Sequence, residues 1–123
     1  MSGKIFFVFG SIFGFLGVAI GAFGAHGLKT RLAPEMLAVF EIGVRYQMYH
    51  ALVLLAVAWA MSQSYQNLFP LSGWLFVFGI IVFSGSLYAL VLTGVKMWGA
   101  ITPAGGMLLL LGWLMLALAA FKK

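Results

Sequence analysis

The chain has 123 residues, 64% of them hydrophobic and 7% charged, with a mean hydropathy of +1.14, which places it among membrane proteins rather than soluble domains. Its formal charge of +5 comes from seven cations scattered over segment ends, with no basic run or interleaved aromatics, so nucleic-acid binding has no footprint. The absence of cysteine excludes disulfides, a thiol nucleophile and thiolate metal sites.

A bilayer core of about 30 Å needs about 20 apolar residues in a helix. The first such run is 5–25. Within it Gly10, Gly14, Gly17, Gly21 and Gly24 alternate steps of four and three, a spacing that draws a seam without side chains along one helix face. Glycine costs about 1 kcal/mol per interior helix position in water, but in lipid the seam lets a neighbouring backbone approach closely. This helix is therefore expected at the centre of the fold. Lys4, the apolar run and the small residues around Ala22 and Gly24 resemble a secretory signal, but the run is longer than a signal core and is read as an uncleaved span.

The second helix is predicted over 34–62. Pro34 suits a first turn, Glu35 favours the positive helix start, and Leu37, Phe40, Val44 and Met48 recur at helical steps. Glu41 and Arg45 stand four apart, in the better order for an ion pair. At 1.5 Å per residue this helix is about 44 Å long, so its first third is expected to project from the hydrocarbon. Polar, uncharged residues at 62–67 end it. A third span is predicted over 71–92 and a fourth over 101–121, with Pro103 in its first turn and Lys122 and Lys123 at its C-terminus. Trp59, Trp74 and Trp98 lie toward span ends, as interfacial aromatics do, whereas Trp113 sits mid-span. The expectation is an all-α integral membrane protein, a single antiparallel bundle of four transmembrane helices. An even number of spans puts both termini on one side, and the signal-like start favours the cytoplasm.

The depths of the polar residues follow from these spans. His26 closes the first span, and Tyr46, Gln47, Tyr49 and His50 follow the projecting third of the second. Ser84, Ser86 and Tyr88 occupy the corresponding half of the third span, and Thr102 opens the fourth. One leaflet thus holds a candidate polar cluster of His26, Tyr46, His50, Ser84, Ser86, Tyr88 and Thr102, while the other is nearly pure hydrocarbon. Ser and Thr in membranes mostly bond helix carbonyls or neighbouring helices, whereas an ionisable group such as His50 faces the bundle interior. Gly105 and Gly106 are expected to admit close packing of the fourth helix with the first. No nucleophile–base–acid set, phosphate loop, dinucleotide fingerprint or metalloprotease motif is present, so no enzyme and no catalytic residue is expected. Two histidines without an acidic or second paired ligand make a weak metal or haem site, so no metal and no cofactor is expected.

Four segments, taken in order, resemble a known family. They are Gly21-Ala22-Phe23-Gly24-Ala25-His26-Gly27-Leu28, Tyr46-Gln47-Met48-Tyr49-His50-Ala51-Leu52, Phe83-Ser84-Gly85-Ser86-Leu87-Tyr88 and Thr102-Pro103-Ala104-Gly105-Gly106. The chain resembles, over essentially its whole length, the bacterial domain of unknown function 423 family, related to eukaryotic transmembrane protein 256. The resemblance implies a four-helix protein of the bacterial inner membrane and brings no activity with it. The function expected is that of a small scaffold or accessory protein that contacts lipid and self-associates or binds a larger membrane partner. The alternative is a ligand-, lipid- or ion-handling protein that uses the polar cluster.

Overall fold

The structure is a computed structural model that describes residues 3–122; Met1 and the terminal cation Lys123 lie outside the described residues. Four α-helices follow one another: α1 (Lys4–Phe23), α2 (Pro34–Gln63), α3 (Leu68–Thr93) and α4 (Met97–Lys122). A π-helical turn, Gly24–Leu28, prolongs α1. No strand occurs among the described residues. Three helical stretches, Lys4–Leu28, Leu68–Thr93 and Met97–Lys122, are long and apolar enough to cross a membrane. The 30-residue α2 falls outside that set, because Glu41 and Arg45 together with Tyr46, Gln47, Tyr49 and His50 dilute its apolar content.

The helix ends follow from local chemistry. Pro34 opens α2 after an extended Ala33, where its missing N–H has no intrahelical partner to lose. Gly94 closes α3 at φ 72°, a left-handed conformation that glycine adopts without strain, and its N–H donates to the Leu90 carbonyl at 2.8 Å. The fourth helix begins earlier than the apolar run suggested. Pro103 therefore lies inside α4 rather than in its first turn. It has no N–H to give the Gly99 carbonyl, while the neighbouring Thr102 hydroxyl donates to the Trp98 carbonyl at 3.2 Å.

The helices pack in chain order, α1 on α2, α2 on α3 and α3 on α4. The expectation that α1 is central gives way to a different centre. Only Phe6, Gly10 and Gly17 of α1 are buried, and Phe7, Phe15, Val18 and Phe23 point outward. The buried positions of α3, from Phe69 through Phe76, Ile80 and Ser84 to Val91, make it the central element. Glycine periodicity marks where a backbone can come close, but not how many neighbours the helix has.

The glycine seam itself divides. Gly3, Gly10, Gly17 and Gly24, seven residues apart, face α2. A Cβ at Gly3 would meet the Ala58 carbonyl oxygen at 2.7 Å, one at Gly10 the Ala51 carbonyl oxygen at 2.8 Å, and those at Gly17 and Gly24 would run into Met48 and the Phe40 ring. A seven-residue repeat keeps one stripe on its partner helix. Gly21 lies against Val44, whereas a Cβ at Gly14 would have nothing within 4 Å. Gly105 also differs from expectation. It packs on α3, where a Cβ would strike the backbone of Phe83, and Gly106 faces the Phe83 ring with room to spare. Seven residues on from Gly105, Gly112 receives the Phe76 ring. Phe6, Leu54, Val57, Phe76, Val77, Ile80 and Leu109 fill the main core, and Leu28, Phe40 and Val91 form a second cluster at the end where α1 leaves and α2 begins.

These contacts make glycine substitutions separable. Gly105→Ala meets backbone that cannot yield and should cost about 1–3 kcal/mol, the usual penalty of overpacking. Gly14→Ala enters open space and should be neutral or stabilising by up to about 1 kcal/mol through helix propensity. Unfolding of the two variants in mixed micelles checks the contrast.

Candidate functional site

The polar residues of the candidate layer sort into three hydrogen-bonded groups. The first ties α1, α2 and α3. Gly43 and Gln47 lie one turn apart on α2 and face Ser84 and Tyr88, one turn apart on α3. The Ser84 hydroxyl donates to the Gly43 carbonyl at 2.7 Å, and the Tyr88 hydroxyl donates to Gln47 Oε1 at 2.7 Å. The other end of the Gln47 amide donates to the Phe13 carbonyl of α1 at 2.8 Å. Gly43 is needed here, since a Cβ would stand 2.8 Å from the Tyr88 ring.

The second group ties α3 to α4. Ser86 and Thr102 share a hydroxyl–hydroxyl bond, and each oxygen also lies within bonding reach of a carbonyl of its own helix, Phe83 for Ser86 and Trp98 for Thr102. Each hydroxyl has one proton, so the one that donates across the helices leaves the other to donate to its own helix carbonyl.

The third group joins α2 to α4. Trp113 Nε1 donates to His50 Nε2 at 3.1 Å. Because indole nitrogen only donates, Nε2 of His50 is the acceptor, and its proton sits on Nδ1, which faces the Tyr46 carbonyl at 2.7 Å. His50 is 4% exposed and packs edge-on to Trp113 and tilted against Phe76. Beside this bond α2 and α4 diverge around a cleft of about 450 Å³. Its walls are Tyr46, Tyr49 and His50 of α2, Phe83 of α3, and Pro103, Gly106, Met107, Leu110 and Trp113 of α4. The hydroxyls of Tyr46 and Tyr49 sit on exposed side chains at its edge.

The candidate residues therefore do not form one cluster. Tyr46 and His50 meet at the cleft, Ser84 and Tyr88 meet α2 on its other side, and Ser86 with Thr102 make a separate bridge. His26 stands apart, exposed in the π-helical turn. Glu41 and Arg45 are both exposed and form no ion pair among the described residues. Among those residues no three His, Asp or Glu side chains converge as metal ligands would. Two participants carried too little signal to join the candidate set. Gln47 was one of several polar residues at its depth, and the only mark on Trp113 was a position too deep for an interfacial aromatic.

A family described as protein of unknown function (DUF423) matches residues 20–106. A UPF0382 membrane protein of Staphylococcus saprophyticus is 47% identical, over 97% of this chain and 98% of its own. The UPF0382 membrane protein YwdK of Bacillus subtilis is 44% identical over 97% of this chain and 98% of its own. A UPF0382 membrane protein of Staphylococcus aureus strain USA300 is 47% identical over 97% of each. No solved structure matches the chain.

Gln47→Met keeps the volume but removes the acceptor of the Tyr88 hydroxyl and the second donor to the Phe13 carbonyl, and should cost about 1–2 kcal/mol. Combined with Tyr88→Phe, the loss should fall short of the sum by about 0.6–1.7 kcal/mol, the range of interhelical bonds in membranes. A double-mutant cycle of unfolding free energies in bilayers or bicelles measures it.

Proposed function

The chain belongs to the DUF423 family, and on that premise we propose that it is a non-enzymatic accessory or scaffold protein of the bacterial inner (plasma) membrane. In this reading it is an antiparallel bundle of four transmembrane helices, both termini cytoplasmic, that self-associates or docks on a larger membrane partner. What supports α2 as the fourth span is its partner. Its contacts with α1 run from Ala58 beside Gly3 to Phe40 beside Gly24, so a membrane crossed by α1 is crossed by α2 as well. Glu35, Glu41 and Arg45 then fall in the projecting start, where charge costs little.

The observation that carries the reading is the spending of polar capacity. Among the described residues no buried side-chain nitrogen or oxygen lacks a hydrogen-bond partner, and the bonds in the layer run between helices or back to helix carbonyls. Catalysis or ion transfer needs a polar group with capacity to spare at the reacting point, and His50 has both ring nitrogens engaged. Little mass lies outside the helices, which leaves the helix faces as the surface through which the protein acts.

A photo-crosslinking residue in place of exposed Phe15 or Leu52 should capture a second copy or a larger protein in native membranes. His50→Ala should lower stability by about 1–2 kcal/mol while leaving proton flux across the membrane and the crosslinked species unchanged. A protein that stays monomeric and uncrosslinked, or a flux that follows His50, overturns the reading.

A further inference from the structure

The cleft between α2 and α4 is lined by residues other than Phe15 and Leu52, the positions at which self-association is tested. We propose that this cleft holds one acyl chain of an anionic membrane phospholipid, with the phosphate at the end of the bundle that carries Arg45 and Lys96. Three observations converge on that occupant.

The first is chemical. The floor of the cleft contains two hydrogen-bonding side chains, His50 and Trp113, and each is already the other's partner. The His50 Nδ1 proton is held by the Tyr46 carbonyl. A polar head group pushed down to His50 and Trp113 would find both already bonded, whereas a hydrocarbon chain needs no partner. The remaining walls, among them Phe83, Met107, Leu109 and Leu110, are apolar except for the hydroxyls of Tyr46 and Tyr49, whose side chains are exposed.

The second is size. The cleft follows α4 from Pro103 to Trp113, about 15 Å at 1.5 Å per residue, which is half of a hydrocarbon core of about 30 Å. It thus has the depth of one leaflet. Its volume of about 450 Å³ lies within the roughly 300–1,000 Å³ of small-molecule sites, and its open side faces outward between two helices, where chains of the bilayer lie.

The third is charge. The cleft's Pro103 end is the end where α2 begins and α3 closes, since Leu28, Phe40 and Val91 pack together there. Arg45 precedes the cleft residue Tyr46, and Lys96 lies seven residues before Pro103; both are exposed. Lys29 and Arg31 stand in the loop at the same end, so four cations face two acids, Glu35 and Glu41. Arg45 borders the neighbouring groove between α1 and α2, which shares Tyr49 with the cleft, so a phosphate at the head of a chain seated in the cleft would lie at the end of the bundle that carries these cations. A basic residue near a membrane surface favours anionic lipid by about fivefold in affinity.

Native mass spectrometry of the full chain, purified in mild detergent and supplied with dioleoyl-phosphatidylglycerol or dioleoyl-phosphatidylcholine, tests the proposal. The wild type should retain one phosphatidylglycerol and prefer it to phosphatidylcholine. Gly106→Leu fills the cleft at a position where a Cβ would make ordinary contact, 3.7 Å from Phe83, and should lose the bound lipid with helicity unchanged by circular dichroism. Arg45→Gln with Lys96→Gln should keep chain binding and reduce the preference for phosphatidylglycerol by about fivefold or more. A folded Gly106→Leu protein that retains as much lipid as the wild type overturns the cleft assignment. Equal retention of the two lipids by the wild type overturns the role of the cations. A lipid-free dimer that Gly106→Leu abolishes gives the cleft to a second copy and also overturns it. Crosslinking in native membranes reports self-association independently of this result.

Discussion

The grip of α2 on α3 depends on a side chain that is missing. Gly43 has no Cβ, so the Tyr88 ring lies over its backbone and the Ser84 hydroxyl reaches its carbonyl. In water two such helices would be driven together by burying apolar surface. In lipid the surroundings are as apolar as the interface, and association depends on dispersion at close range and on hydrogen bonds. Gly43 supplies both at one point. One turn further, Gln47 accepts from Tyr88 and donates to the Phe13 carbonyl, so a single α2 side chain fixes the register of three helices.

Much of the helical framework was legible in the sequence, because its causes are local. Apolar run length located three of the helices, Pro34 marked the start of α2, and the polar stretch from Ser62 marked its end. The start of α4 was not legible, since no Ser, Thr, Asp or Asn directly precedes Met97 and Pro103 suggested a later beginning. The π-helical Gly24–Leu28 left no periodic signal in five residues.

The neighbours of each helix were harder to foresee. A soluble helix betrays its buried face by an apolar stripe, but here the outward residues Phe7, Phe15 and Val18 are as apolar as the inward Phe6. Small residues were the remaining guide, and they show where contact is close without naming the partner. That is why the glycines of α1 suggested a central helix, and why Gly105 was assigned to α1 rather than to α3. The spans assigned the polar residues a common depth. Their sorting into three hydrogen-bonded groups could not be read, since pairing depends on helix rotation, and the partner of His50 lies 63 residues away.

The same rule explains why the cleft exists. Where α3 meets α4, each side offers holes for the other's knobs. Gly105 and Gly112, seven apart, take Phe83 and Phe76, also seven apart, and Gly79 takes Leu109. This interlock commits α4 to α3 along its length. Where α2 comes near α4, the facing residues are Tyr46, Tyr49 and Trp113, and rings of that size hold two backbones apart. An imidazole left alone in such a gap would be a polar group stranded at membrane depth, at a cost of several kcal/mol by hydrocarbon-transfer measures. Trp113 is long enough to cross the gap and carries a donor at its far edge. Its bond to His50 thus satisfies the ring without closing the space, leaving a cleft whose floor is polar in composition and apolar in behaviour.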